Sequence, residues 1–118
     1  AGLASVASIA SWGYIWDFTP DDTWPEGGPG LAEWNAVGVR FVPMVWGEKK
    51  LSRAPQQSLK SIEGVPGRAA LLGFNEPNFQ DQASLSPQRA AELWPLVEEL
   101  AASYGIDYLV SPAVNFNE

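Results

Sequence analysis

Four apolar stretches, separated by polar and Gly/Pro-rich segments, organise the chain. Ser11 to Phe18 (SWGYIWDF) is aromatic-rich and runs into Thr19-Pro20-Asp21-Asp22, which reads as a strand ending in a turn. Val39 to Trp46 (VRFVPMVW) is apolar on both faces, as suits a parallel strand covered by helices. Pro43 within it cannot donate to a ladder, which argues against a regular central position. Ala69 to Phe74 (AALLGF) is the third predicted strand, and Asp107 to Pro112 (DYLVSP) the fourth.

Helices fill the intervals. After a Gly/Pro-rich loop from Pro25 to Gly30, Leu31 to Val37 predicts a short helix closed by Gly38. Polar residues Gly47 to Arg53 lead to Pro55, a plausible first helical residue, and a helix to about Glu63, stopped by Gly64-Val65-Pro66-Gly67. Ser86-Pro87 supplies an N-cap followed by proline. Ala90, Leu93, Trp94, Val97, Leu100, Ala101 and Tyr104 then recur at helical spacing until Gly105. Pro95 should kink or restart that helix. Alternating strands and helices build a parallel α/β sheet with right-handed crossovers.

Composition narrows the function classes. A length of 118 residues with 46% hydrophobic content allows one domain and no second. Seven basic against fourteen acidic residues give a net charge of -7, which repels nucleic acid and anionic membranes. No apolar run approaches the roughly 18 to 20 residues of a membrane span. Ala1 to Ala10 lacks a basic n-region and reads as a mature or trimmed N-terminus. Cysteine and histidine are absent, which removes disulfides, the usual zinc ligands and Ser-His or Cys-His dyads. No metal or organic cofactor is expected.

In parallel α/β folds, functional groups gather beyond the C-terminal strand ends. Those ends carry Trp16 and Asp17, then Trp46 and Glu48, then Asn75, Glu76 and Asn78, then Asn115. Aromatic planes stack on the C–H face of a pyranose, while carboxylates and amides hydrogen-bond its hydroxyls. Glu76, held between Asn75 and Pro77, would suit a general acid if Phe74 or a tryptophan shields it from water; a solvated glutamate opening a loop is the alternative. Asn75 can reach a sugar hydroxyl or make an Asx turn. Asp17 and Glu48 fit solvated or capping carboxylates, and Glu92, Glu98 and Glu99 an exposed helix face.

Leu71 to Asn78 (LLGFNEPN) resembles the acid/base strand of clan A glycoside hydrolases, in particular glycoside hydrolase family 128, which acts on β-1,3-glucans. FVPMVWG at Phe41 to Gly47, SWGYIW at Ser11 to Trp16, SPQRAAELW at Ser86 to Trp94 and LVSPAV at Leu109 to Val114 look like blocks of that family in the same order. The resemblance implies a (β/α)8 barrel, with Glu76 as general acid/base and Asn75 on the 2-hydroxyl of the reacting sugar. It also implies Trp16 and Trp46 as cleft aromatics; Asn78 and Asn115 are further candidate sugar contacts by their places at the strand ends alone. The family's nucleophile lies on a later strand, and Glu118 comes too early to be it. In the clan the acid/base ends the fourth strand, yet Glu76 ends the third counted here. A strand within Ala1 to Ser11 or Ala32 to Val39, or a distorted barrel, would reconcile the two.

A whole barrel takes about 250 residues. The 118 residues here therefore read as the N-terminal half of a secreted retaining glycoside hydrolase, a single unit from 1 to 118. A retaining enzyme needs two carboxyls about 5 to 5.5 Å apart, so this half alone should be inactive. The expected partners are a β-1,3-glucan and either the C-terminal half or a second copy, with no nucleic acid and no membrane. The competing expectation is a non-catalytic half-barrel that binds β-glucan.

Overall fold

The computed structural model describes residues 3–20, 28–52 and 70–116, and it shows the expected alternation of strand and helix. A 3-10 turn at Leu3–Ser5 precedes β1 (Trp12–Gly13), α1 (Leu31–Ala36), β2 (Arg40–Phe41), α2 (Glu48–Ser52), β3 (Ala70–Leu72), α3 (Pro87–Ser103) and β4 (Tyr108–Val110). β1 pairs parallel with β2, Trp12 opposite Arg40; β3 pairs parallel with β4, Leu71 opposite Leu109. A parallel bridge between Met44 and Leu72 joins the two pairs, so neighbours in sequence are neighbours in the sheet.

The paired strands are shorter than the apolar runs, and Pro43 is one reason. Val42 and Met44 donate their N–H groups toward the β1 side, to the carbonyls of Gly13 and Asp17. Residues between them face β3, where Pro43 has no N–H to give. Its carbonyl still accepts from Leu72 N–H at 2.9 Å, and Val45 N–H resumes the ladder to Leu72. Pro43 is fully buried but lies past the end of β2, in a stretch where regular pairing stops, in keeping with the expectation drawn from its type. The ladder tolerates it by losing one bond.

α1 ends as its sequence dictates, with Gly38 at φ 73°, a left-handed conformation that costs glycine nothing. Its Leu31 and Trp34 pack on Ile15, Val39 and Phe41 in one apolar cluster. α3 starts at the predicted cap, where Ser86 Oγ accepts from Arg89 N–H at 3.1 Å with Pro87 following. Its buried residues Leu93, Val97, Leu100 and Ala101 meet Val45, Leu71, Phe74 and Ile106 in the larger cluster. Each such aliphatic side chain is worth about 1.5–3 kcal/mol of burial. Gly105 follows at φ 64°.

Three expectations need correction or placing. Pro95 does not interrupt α3: Pro95 and Ala91 both lie on the exposed face, where the carbonyl left without a donor can be hydrated. The polar stretch after Gly47 is itself helical, as α2, while the predicted helix from Pro55 and the turn after it lie outside the described residues. No additional strand occupies the described parts of 1–11 or 32–39, which form the 3-10 turn and α1, so Glu76 follows the third described strand.

Candidate functional site

The segment after β3 is built by backbone bonds from three directions. Asn75 N–H donates to Trp46 carbonyl at 3.0 Å, and Asn75 bridges Ala113 in parallel. Residues 76–85 then fold back on the strand end. Phe79 N–H reaches Glu76 carbonyl, Leu85 N–H reaches Pro77 carbonyl, and Ala83 N–H returns to Asn75 carbonyl at 3.2 Å. Glu76 adopts φ 41°, the left-handed region that a β-carbon disfavours by about 1–2 kcal/mol. Ser84, near the other end of the loop, has φ 50°. The surrounding bonds hold these two residues in conformations they would not choose alone.

The three strand-end carboxylates differ in their company. Asp17 pairs with Lys50 of α2 and also accepts from Phe18 N–H, tying the end of the first run to that helix. Glu48 pairs with Arg89, which also holds Glu92 of α3; the Arg89 hydrogen bond keeps the Glu48 carboxyl below the ordinary glutamate range. Both are structural ties. Half-buried Glu76 has no ion pair among the described residues.

Asn75 lines a mostly apolar cavity of about 190 Å³, together with Trp12, Tyr14, Met44, Val110 and Ser111. Trp12, Tyr14 and Trp16 alternate along the first run on one face, exposed by 54%, 42% and 59%, whereas Ile15 between them is buried. Tyr14 and Trp16 meet edge to face, centroids 5.8 Å apart. The open face of the sheet thus carries an aromatic row beside the Asn75 amide.

The structure brings some predicted residues together and separates others. Asn75 and Trp16 share the aromatic region through Tyr14. Trp46 instead lines a different groove, of about 590 Å³, with Glu48, Gln82 and Leu85. It lies past the last bridged residue of its run, Met44, where strand alternation no longer fixes direction. Asn78 and Asn115 are joined to each other: Asn78 Nδ2 donates to Asn115 carbonyl at 3.0 Å, and Asn78 Oδ1 accepts from Asn115 N–H at 2.9 Å. That pair clamps the loop after β4 to the loop after β3.

Two residues near the site escaped the sequence. The signal for Tyr14 would have been the alternation of Trp12, Tyr14 and Trp16, a period of two with one aromatic face. Gln82 carried no signal, because its Oε1 meets Asn75 Nδ2 at 2.7 Å only through the fold-back of the loop. Among the described residues, no three of His, Cys, Asp and Glu converge to hold a metal ion, and no helix is long and apolar enough to cross a membrane.

Residues 2–118 match a family model described as glycosyl hydrolase catalytic core. Among solved structures, the chain is similar to a family 128 (subgroup II) endo-β-1,3-glucanase from Sorangium cellulosum, at 45% identity and a TM-score of 0.71, covering 97% of this chain and 42% of that one. The corresponding subgroup II enzyme from Pseudomonas viridiflava is 36% identical, with a TM-score of 0.73 and coverages of 97% and 41%. A variant of the subgroup I endo-β-1,3-glucanase from Amycolatopsis mediterranei, in complex with laminaripentaose, is 30% identical, with a TM-score of 0.66 and coverages of 98% and 41%. The chain therefore spans about two fifths of the length of these structures. No curated protein gave a match.

Proposed function

The chain belongs to the glycosyl hydrolase catalytic core family, and from that premise we propose that it is the N-terminal half of a (β/α)8 barrel cleaving β-1,3-glucan with retention of configuration. Glu76 is the general acid/base and Asn75 the ligand of the 2-hydroxyl. The observation that carries this reading is Glu76 in the segment just beyond β3, half-buried and without an ion pair among the described residues, next to an Asn75 that lines a cavity with Trp12 and Tyr14. The similar enzymes add the substrate class, since one of them holds laminaripentaose.

In the proposed reaction Glu76 gives its proton to the glycosidic oxygen while a carboxylate from the C-terminal half attacks the anomeric carbon, and the C–O bond breaks. Glu76, now ionised, takes a proton from water as that water attacks the glycosyl-enzyme carbon, and the nucleophile leaves as a carboxylate. Both catalytic carboxyls are regenerated. Trp16 and Tyr14 offer faces for pyranose stacking. The enzyme acts outside the cell, on wall or storage glucan.

A β-glucan-binding role without hydrolysis is the second reading, favoured by the exposed row of Trp12, Tyr14 and Trp16. Reducing-end release from laminarin by the complete catalytic domain separates the two. Hydrolysis that Glu76→Gln abolishes supports the enzyme. Laminarin binding without hydrolysis supports the second reading, and equal action on cello-oligosaccharides counts against the substrate class.

A further inference from the structure

An amide side chain presents a different chemical group on each side, and what holds one side decides which group the other offers. Asn75 Nδ2 donates to Gln82 Oε1 at 2.7 Å. Turning the Asn75 amide by half a turn would set its Oδ1 against that same acceptor, two lone-pair oxygens at hydrogen-bond distance. The present orientation leaves Oδ1 and the second Nδ2 hydrogen for the cavity that Asn75 lines with Trp12 and Tyr14. The loop that carries Gln82 is held against the strand end: the next residue, Ala83, donates its N–H to Asn75 carbonyl, and Gln82 N–H donates to Phe79 carbonyl at 3.1 Å. The loop closes a small ring on the strand end, with one backbone bond and one side-chain bond to the same asparagine.

From this geometry we infer that Gln82 is a positioning residue for the reaction, setting the Asn75 amide in the orientation that engages the 2-hydroxyl of the sugar being cleaved. The inference rests on the role given to Asn75 above. Gln82 does not touch the sugar; it acts through Asn75. Bonds to the 2-hydroxyl strengthen in the transition state, so the loss should fall mainly on kcat rather than on KM.

The test uses the complete catalytic domain and two aryl β-laminaritriosides, identical except that one lacks the 2-hydroxyl on the ring whose bond is cut. Gln82→Met removes the acceptor while keeping length, and Gln82→Glu retains an acceptor. We expect Gln82→Met to lower kcat/KM about tenfold on the 2-hydroxy substrate, one well-placed hydrogen bond's worth, and less than twofold on the 2-deoxy substrate. Gln82→Glu should recover most of the loss. With Asn75→Ala already present, Gln82→Met should add nothing. Equal losses on both substrates would reduce Gln82 to a loop support and overturn the inference, as would no loss on either. A wild-type domain inactive on the 2-hydroxy substrate would instead overturn the reading of the site on which the inference stands.

Discussion

Gly73 sits between the end of β3 and Asn75, and a single methyl group there should be costly. A β-carbon at this position would lie 2.8 Å from Val110 carbonyl oxygen, 3.1 Å from Pro112 nitrogen and 3.0 Å from the Trp94 ring. Two of these neighbours are backbone, of β4 and of the segment just after it, and the third is a ring packed edge to face on Phe74. β4 cannot retreat without stretching the 3.0 Å bond from Gly73 N–H to Val110 carbonyl. Trp94 cannot retreat without disturbing α3. Overpacking of this kind costs about 1–3 kcal/mol. Urea unfolding of wild-type and Gly73→Ala domains measures it, with Gly47→Ala as comparison. There the nearest neighbour would be the Ala83 methyl at 3.3 Å, and the cost should be well under the Gly73 value. Because Asn75 and Glu76 follow within three residues, Gly73→Ala in the complete domain should also lower the proposed laminarin hydrolysis about tenfold or more. An unchanged urea midpoint would refute the close approach of β3 and β4. A normal activity in a destabilised domain would refute the link between that approach and the site.

The Asn78 clamp and the Glu48–Arg89 pair give further tests. Asn78→Ala removes both bonds to the Asn115 backbone and should cost about 1–2 kcal/mol, with faster amide exchange at Asn115; unchanged exchange would mean the clamp is not formed in solution. Arg89→Met should raise the Glu48 titration midpoint toward the ordinary glutamate range, measured by carboxyl-carbon NMR. A carboxyl lowered in the folded state stabilises above its unfolded value and loses that contribution as pH falls through the folded one. The stability difference between wild type and Arg89→Met should therefore be present near neutrality and vanish in acid below the ordinary carboxylate range. A midpoint that does not move would mean the pair is absent in solution.

Much of the fold was legible because local chemistry and long-range packing agree. α3 announces itself through Ser86, Pro87, a helical apolar stripe and Gly105, and each of these does in the structure what its type predicts. The strands were legible as apolar runs but not in extent, since regular pairing depends on neighbours: Val39 to Trp46 is interrupted where Pro43 lacks a donor, and only Met44 resumes the bridge. Pro95 does not restart α3, because the cost of a proline depends on whether the orphaned carbonyl faces water, which type alone does not tell. The place of Asn75 and Glu76 just beyond a strand was legible from the apolar run before them. Their surroundings were not. The pairing of Asp17 with Lys50, of Glu48 with Arg89, and of Asn78 with Asn115 joins residues 33, 41 and 37 positions apart, separations at which a single sequence carries no trace of contact.

Azide rescue tests the role of Glu76 most directly. The complete domain carrying Glu76→Ala is assayed on laminarin and on an aryl β-laminaritrioside with a good leaving group, with and without sodium azide. An acid/base variant should lose laminarin hydrolysis, still form the glycosyl-enzyme from the activated substrate, and stall before water attacks. Azide needs no base, so it should restore turnover and release the glycosyl azide in the β configuration. Undiminished laminarin hydrolysis by Glu76→Ala, or an azide product in the α configuration, would contradict the assignment, the latter by making Glu76 the nucleophile.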